Sequence, residues 1–171
     1  MDEPAVLVGV DIVAEERVAE AARRGGATFG RWLPAPESFP ITESFIKAVG
    51  GRAPGFRWDD FEPAGPVPPG AAGLLEEAAA CLTGSTGLSL PDGAAYTIRR
   101  ASRRAALTRL AARGEDPPLL GAARWGRCGG LLVALAIVLI DERLPGEQPT
   151  DEKPTDERLP DERLTDKQAE A

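Results

Sequence analysis

Apolar residues along this chain fall into short blocks of two kinds. "AVLVGVDIV" (Ala5–Val13) and "LLVALAIVLI" (Leu131–Ile140) are nearly continuous and rich in Val, Ile and Leu. Runs of that length read as buried strands, and ten residues are too few to cross a bilayer. Other blocks repeat at helical spacing. "AEERVAEAARRGG" predicts a helix that stops at Gly25–Gly26. In "FPITESFIKAVGG" (Phe39–Gly51), Pro40 suits the first turn of a helix, Ile41, Phe45, Ala48 and Val49 share one face, and Glu43 and Lys47 lie on another. Gly50–Gly51 should end that helix. Residues Ala94–Arg113 read as a helix carrying six arginines. Between these blocks lie an irregular "ATFGRWLPAPES", a half-exposed strand "FRWDDFEP", a loop "AGPVPPGAAG", a short helix "LLEEAAACL" and a strand with a turn, "GLSLPDG". "LLGAARWG" should pair with the last apolar run across "RCGG" as a closing antiparallel hairpin. The predicted order is β-α-α-β-(α)-β-α-β-β. That is α+β, not a Rossmann alternation, and no phosphate-type Gly-rich loop follows the first strand.

Charge divides the chain at residue 140. From Asp141 onward, "DERLPGEQPTDEKPTDERLPDERLTDKQAEA" reiterates an Asp-Glu-Arg/Lys-(Leu)-Pro unit and has no aromatic residue. It carries eleven acids and five bases, so it holds −6 of the chain's −7, and residues 1–140 are nearly neutral with 15 bases and 16 acids. Such a segment cannot bury enough apolar surface to offset chain entropy. The expected organisation is therefore one domain over 1–140 and a disordered acidic, Pro-containing repeat tail over 141–171. There is no histidine, which excludes His-based metal sites and Ser-His triads, and Cys81 and Cys128 lack ligand-type spacing. Reduced thiols and a soluble, cytoplasmic protein are expected, since acids stand in "MDEPAVLVGVD" where a signal peptide needs a basic region.

Two acids stand out. Asp11 interrupts a Val/Ile strand, where a carboxylate is costly unless it is paired, hydrogen-bonded or bound to a cation; otherwise it simply faces water. Glu43 four residues before Lys47 is by itself an ordinary surface helix pair. The arginines at 99, 100, 103 and 104 read first as a solvated helix face. Nucleic acid is a weaker reading for them, because residues 1–140 are not net basic and aromatics are not interleaved with the charge.

Taken in chain order, "VGVDIVAEERV", "LPAPES", "FPITESFIKAVGG" and "LLVALAIVL" resemble the holo-acyl-carrier-protein synthase type of 4′-phosphopantetheinyl transferase. That family opens with a Gly-x-Asp strand and an Arg-bearing helix. A helix of the form aromatic-x-x-Lys-Glu-Ala/Ser-x-x-Lys-Ala and a glycine turn follow, and a Val/Ala-rich strand pair closes the domain. The resemblance covers most of residues 5–140 and is weakest at 63–86. It implies the family's fold, a mixed or antiparallel sheet packed on helices, and transfer of the phosphopantetheine arm of coenzyme A to a serine of an acyl carrier protein. Asp11 and Glu43 fall on the acids that bind Mg²⁺. Glu43 and Lys47 fall on the catalytic acid and lysine, and Lys47, Gly50, Gly51 and Arg127 on the coenzyme A side of the site. Arg17, with Arg23 and Arg24, falls where the acidic carrier protein is met. A homotrimer is the common assembly.

The residues are coherent with that chemistry: two carboxylates plus phosphate and water oxygens suit a hard cation, and charge building on the pyrophosphate would be neutralised during attack. With Pro40 starting the helix, Glu43 is expected at the positive end of the helix dipole, which favours a ligand role, with a metal-held water taking the serine proton. Thr42 stands where the family has a lysine, Arg127 where a histidine is common, and the segment between Glu37 and Glu43 is shorter than usual. The alternatives are a catalytically degenerate member serving as a binding or scaffold subunit, and an unrelated α+β interaction module.

Overall fold

A computed structural model describes residues 5–112 and 117–140. The expected disordered tail, 141–171, lies outside them. In chain order the elements are β1 (Val6–Ala14), α1 (Glu15–Trp32), α2 (Ser38–Ala48), β2 (Phe61–Gly65), α3 (Pro69–Thr86), β3 (Asp92–Ile98), α4 (Arg100–Arg109), β4 (Leu119–Cys128) and β5 (Leu131–Ile140). This is the α+β order read from the apolar pattern. Among the described residues the strands form one antiparallel sheet of order β1-β5-β4-β3-β2.

The run Leu131–Ile140 is apolar at every position because β5 lies inside the sheet with both faces covered. Ala134, Ala136 and Val138 face a core built with Ile41 and Phe45 of α2, Ala106 of α4, and Val49 and Leu110 just past the ends of those helices. Val133, Leu135, Ile137 and Leu139 face Ala71, Leu75 and Ala79 of α3. β4 and β5 are joined through Gly129 and Gly130 at φ 57° and 78°, the pair of positive angles that a tight hairpin turn demands. β1 is an edge strand. Leu7, Gly9 and Asp11 lie opposite Val138, Ala136 and Ala134, on the α2 face. Val8 and Ile12 lie on the other face beyond the reach of α3 and are the exposed large apolar residues of the described chain, at 53% and 46%.

Several boundaries differ from expectation. Helix α1 continues past Gly25–Gly26 as a second helical piece, with the break at Gly26 (φ 53°, ψ −142°). α2 begins at Ser38, so Pro40 is its third residue, still among the first N–H groups that need no intrahelical partner. Glu43 is therefore mid-helix and not at the positive end of the dipole. Phe56 and Trp58 precede the strand β2 and do not alternate along it; a 3₁₀ turn over Trp58–Asp60 intervenes. α3 is longer than the predicted short helix and takes in part of the predicted loop. The stretch Ala94–Ile98, read as the start of an Arg-rich helix, belongs to β3, where Ala94 and Ala95 pair with Ala123 and Ala122.

Of the four arginines at the start of α4, Arg99, Arg100 and Arg104 are exposed, as expected of a solvated face, and Arg103 is half-buried; three of them also make ion pairs or hydrogen bonds. Arg99 pairs with Glu62 at 2.8 Å, Arg100 with Asp59 at 3.0 Å, and Arg103 donates to the Pro117 carbonyl at 2.8 Å. Asp60, fully buried, accepts from the Ser102 backbone N–H at 3.2 Å and hydroxyl at 2.9 Å. It serves the first turn of α4 as a cap would, although it belongs to another element. Cys81 and Cys128 are free and exposed.

Candidate functional site

The site forms where α2 crosses β1. Gly9 permits the crossing: a Cβ there would lie 2.0 Å from the Ser44 carbonyl oxygen and 2.6 Å from the Ala48 nitrogen. Ser44, buried at the contact, turns its hydroxyl back onto its own helix and donates to the Ile41 carbonyl at 2.7 Å. Asp11, two residues along the same face of β1, is thereby brought beside α2.

Asp11 is not a solvated strand residue. Its side chain is 13% exposed, and Lys47 donates from Nζ to Asp11 Oδ1 at 2.7 Å and to the Val10 carbonyl at 3.0 Å. Glu43, one turn earlier on α2, has a side chain 18% exposed and accepts from Arg52 Nη2. The Glu43–Lys47 pair suggested by their spacing therefore does not form. β1 claims the lysine, and Arg52 claims the glutamate. Arg52 is delivered by the turn at Gly50 and Gly51, whose φ angles are 93° and 116° and whose Gly51 N–H closes on the Ile46 carbonyl at 2.8 Å.

Asp11, Glu43 and Arg17 line one cleft of about 330 Å³, walled also by Val13, Val18 and Phe39. Of the other predicted residues, Arg23 is exposed on α1, and Arg24 donates to Glu20 one turn before it. Arg127 lies elsewhere: it pairs with Glu37 at 2.9 Å and Glu15 at 3.7 Å, on a second cleft of about 450 Å³ with Val18, Ala22, Leu33 and Pro34. Gly50 and Gly51 lie at the C-terminal end of α2, and Gly50 is packed beneath Arg109, whose Nη1 would be 2.6 Å from a Cβ.

Reading the sequence missed Arg52. Its guanidinium carbon lies 4.9 Å from the centre of the Trp58 ring and 5.7 Å from that of Phe56. Trp58 in turn meets Phe39 of the cleft wall, ring centres 6.2 Å apart. The signal was available in the aromatic spacing of "GFRW", which strand periodicity absorbed.

Among the described residues no three Asp, Glu, Cys or His side chains gather in a metal-binding group. The donor set in the cleft is two partly buried carboxylates, all oxygen, each already holding a side-chain cation. Lys47 and Arg52 supply the positive charge that these two carboxylates meet in the structure, and the oxygen-only donor set is of the kind hard divalent cations take.

No protein-family model and no curated protein matches the chain. Among solved structures it is similar to a Chronobacterium ammoniagenes ACPS-CoA complex, with a TM-score of 0.47 and 17% identity over 80% of this chain and 98% of that one.

Proposed function

We propose that this protein transfers the 4′-phosphopantetheine arm of coenzyme A to a serine of an acidic acyl carrier protein. The observation that carries the reading is the meeting of Asp11 and Glu43, from a strand and a helix, in one cleft beside Arg17. In the transfer, the serine oxygen forms a bond to the phosphorus bearing the pantetheine. The bond from that phosphorus to the bridging oxygen breaks, adenosine 3′,5′-bisphosphate leaves, and the serine proton passes to water in the cleft. Asp11 and Glu43 would hold Mg²⁺, which supplies neutralising charge for the pyrophosphate. Lys47, held on Asp11 and the β1 backbone, is oriented toward the same region and meets phosphate charge. Arg17, on the first turn of α1, gives an acidic carrier a cation at the rim of the cleft, and Arg23 extends it.

The exposed apolar strip of Val8 and Ile12 supports a further copy of the chain against β1, as in the homotrimer. A second reading is favoured by a specific observation: both acids are engaged by side-chain cations, Asp11 by Lys47 and Glu43 by Arg52. That arrangement suits a binding or scaffold subunit that keeps the fold without catalysis. One experiment separates the two. The protein is incubated with coenzyme A, Mg²⁺ and a panel of apo carrier proteins, and the carriers are weighed by mass spectrometry. A carrier gaining the arm supports the transferase. None gaining it, beside a working control enzyme, supports the scaffold.

A further inference from the structure

Arg52 is built to stay beside Glu43 without being buried there. Its side chain is 53% exposed, so water and solutes reach the ion pair. Exposed pairs exchange readily with other partners. Yet the guanidinium lies over Trp58 and Phe56, and this stacking keeps it near the carboxylate even when the hydrogen bond opens. The Gly50–Gly51 turn shortens the return path from α2 and brings Arg52 back alongside the helix. A tethered monovalent cation thus occupies one of the two oxygens that Glu43 could offer a divalent cation.

We propose that Arg52 sets the divalent-cation affinity of the cleft by competing with the metal for Glu43, and that Trp58 holds it in the competing position. The proposal rests on reading Asp11 and Glu43 as cation ligands. With Arg52 on Oε1, a divalent cation on the same carboxylate would sit beside a like charge, so metal binding is weakened until the guanidinium withdraws along the aromatic shelf. The withdrawn guanidinium remains close to the cleft, where its planar fork can meet a phosphate. Lys47 is anchored differently, on a backbone carbonyl as well as on Asp11.

The test is titration of the full chain with Mn²⁺ alone, following free Mn²⁺ by electron paramagnetic resonance. Removing the competing charge in Arg52→Gln should tighten Mn²⁺ binding by about five- to twentyfold. Trp58→Leu, which frees the guanidinium from its shelf, should give a smaller gain in the same direction. In a Glu43→Gln background, Arg52→Gln should give no gain, because the carboxylate being contested is gone. Arg52→Gln binding Mn²⁺ no more tightly than the parent, or gaining equally without Glu43, overturns the proposal; so does a chain in which neither form binds Mn²⁺. Failure here and failure of the transferase reading are distinguishable. A parent that loads a carrier while Arg52→Gln leaves Mn²⁺ affinity unchanged overturns only the competitor. A tighter Arg52→Gln in a chain that loads no carrier overturns only the transferase.

Discussion

Tyr96 shows how one side chain ties stability to pH far from any site. It stands in the core on β3, its ring centre 5.0 Å from that of Phe45. Burial, and then the negative charge of Glu37, push its phenol up from 10.0 to about 12. The unfolded chain releases this proton near pH 10, while the folded chain keeps it until about pH 12. The contribution to stability is therefore complete below the unfolded value and is lost as the pH rises through the folded one. Urea unfolding midpoints should fall between about pH 9 and about pH 11.5, and Tyr96→Phe should fall less steeply over the same range. Asp60 is a buried carboxylate whose value lies in what it satisfies. Asp60→Ala would orphan the Ser102 N–H and hydroxyl and remove a partner of Arg100, which lies at a φ of 48° at the start of α4. A loss of about 2–4 kcal/mol is expected in denaturant unfolding. Asp59 next to it behaves otherwise. Burial raises its carboxyl, but the Arg100 hydrogen bond and charge, with Arg57, outweigh that and hold it below the usual value.

Between elements, the contact that matters most is α2 on β1, and Gly9 decides it. Its Cβ would enter the backbone of α2 and not a movable side chain, so relief requires the helix to shift. Gly9→Ala should therefore destabilise the chain by about 1–3 kcal/mol and pull Lys47 away from Asp11. The check is the thermal midpoint together with a crystal structure reporting whether the Lys47 Nζ–Asp11 contact of 2.7 Å survives. A variant with unchanged midpoint and contact would mean that the crossing has room for a Cβ without moving the helix. The sequence pattern did carry this much: a glycine and an aspartate inside a Val/Ile strand, then a helix with Ile41, Phe45, Ala48 and Val49 on one side, all four of which are buried. What it could not carry was partner choice. Helical spacing offers Glu43 to Lys47, yet Lys47 goes to Asp11, 36 residues earlier, and Glu43 goes to Arg52, 9 residues later and beyond the glycine turn. Likewise "GAAYTI" has the alanines of a helix, but their small side chains suit close pairing with Ala122 and Ala123, so the sheet prevails over local propensity. Asp60 was illegible for the same reason, since its partner lies forty-two residues further along.

At the scale of the whole molecule, the described residues form one body, a five-stranded sheet with an apolar core on each face. The last residues of β5 are enclosed within it: Leu139 pairs with Val6 on one side and Leu120 on the other, and Ile140 pairs with Leu119. No helix among the described residues is long and apolar enough to cross a membrane. The residues after Ile140 hold −6 of the chain's net −7, no aromatic side chain and only three leucines, so composition gives them little to add to either core. We propose that residues 1–140 are the folding unit and that 141–171 act only through charge. Removing 141–171 should then leave the urea midpoint and its slope unchanged to within about 0.5 kcal/mol, while bringing the isoelectric point up from 4.8 toward neutrality. The same truncation tests whether the acidic repeats compete with an acidic carrier for Arg17 and Arg23. Competition would appear as a lower carrier KM at low salt that vanishes when salt screens the charges. An unchanged KM at every salt concentration would remove the tail from recognition. A lowered unfolding midpoint would instead place part of 141–171 inside the folding unit.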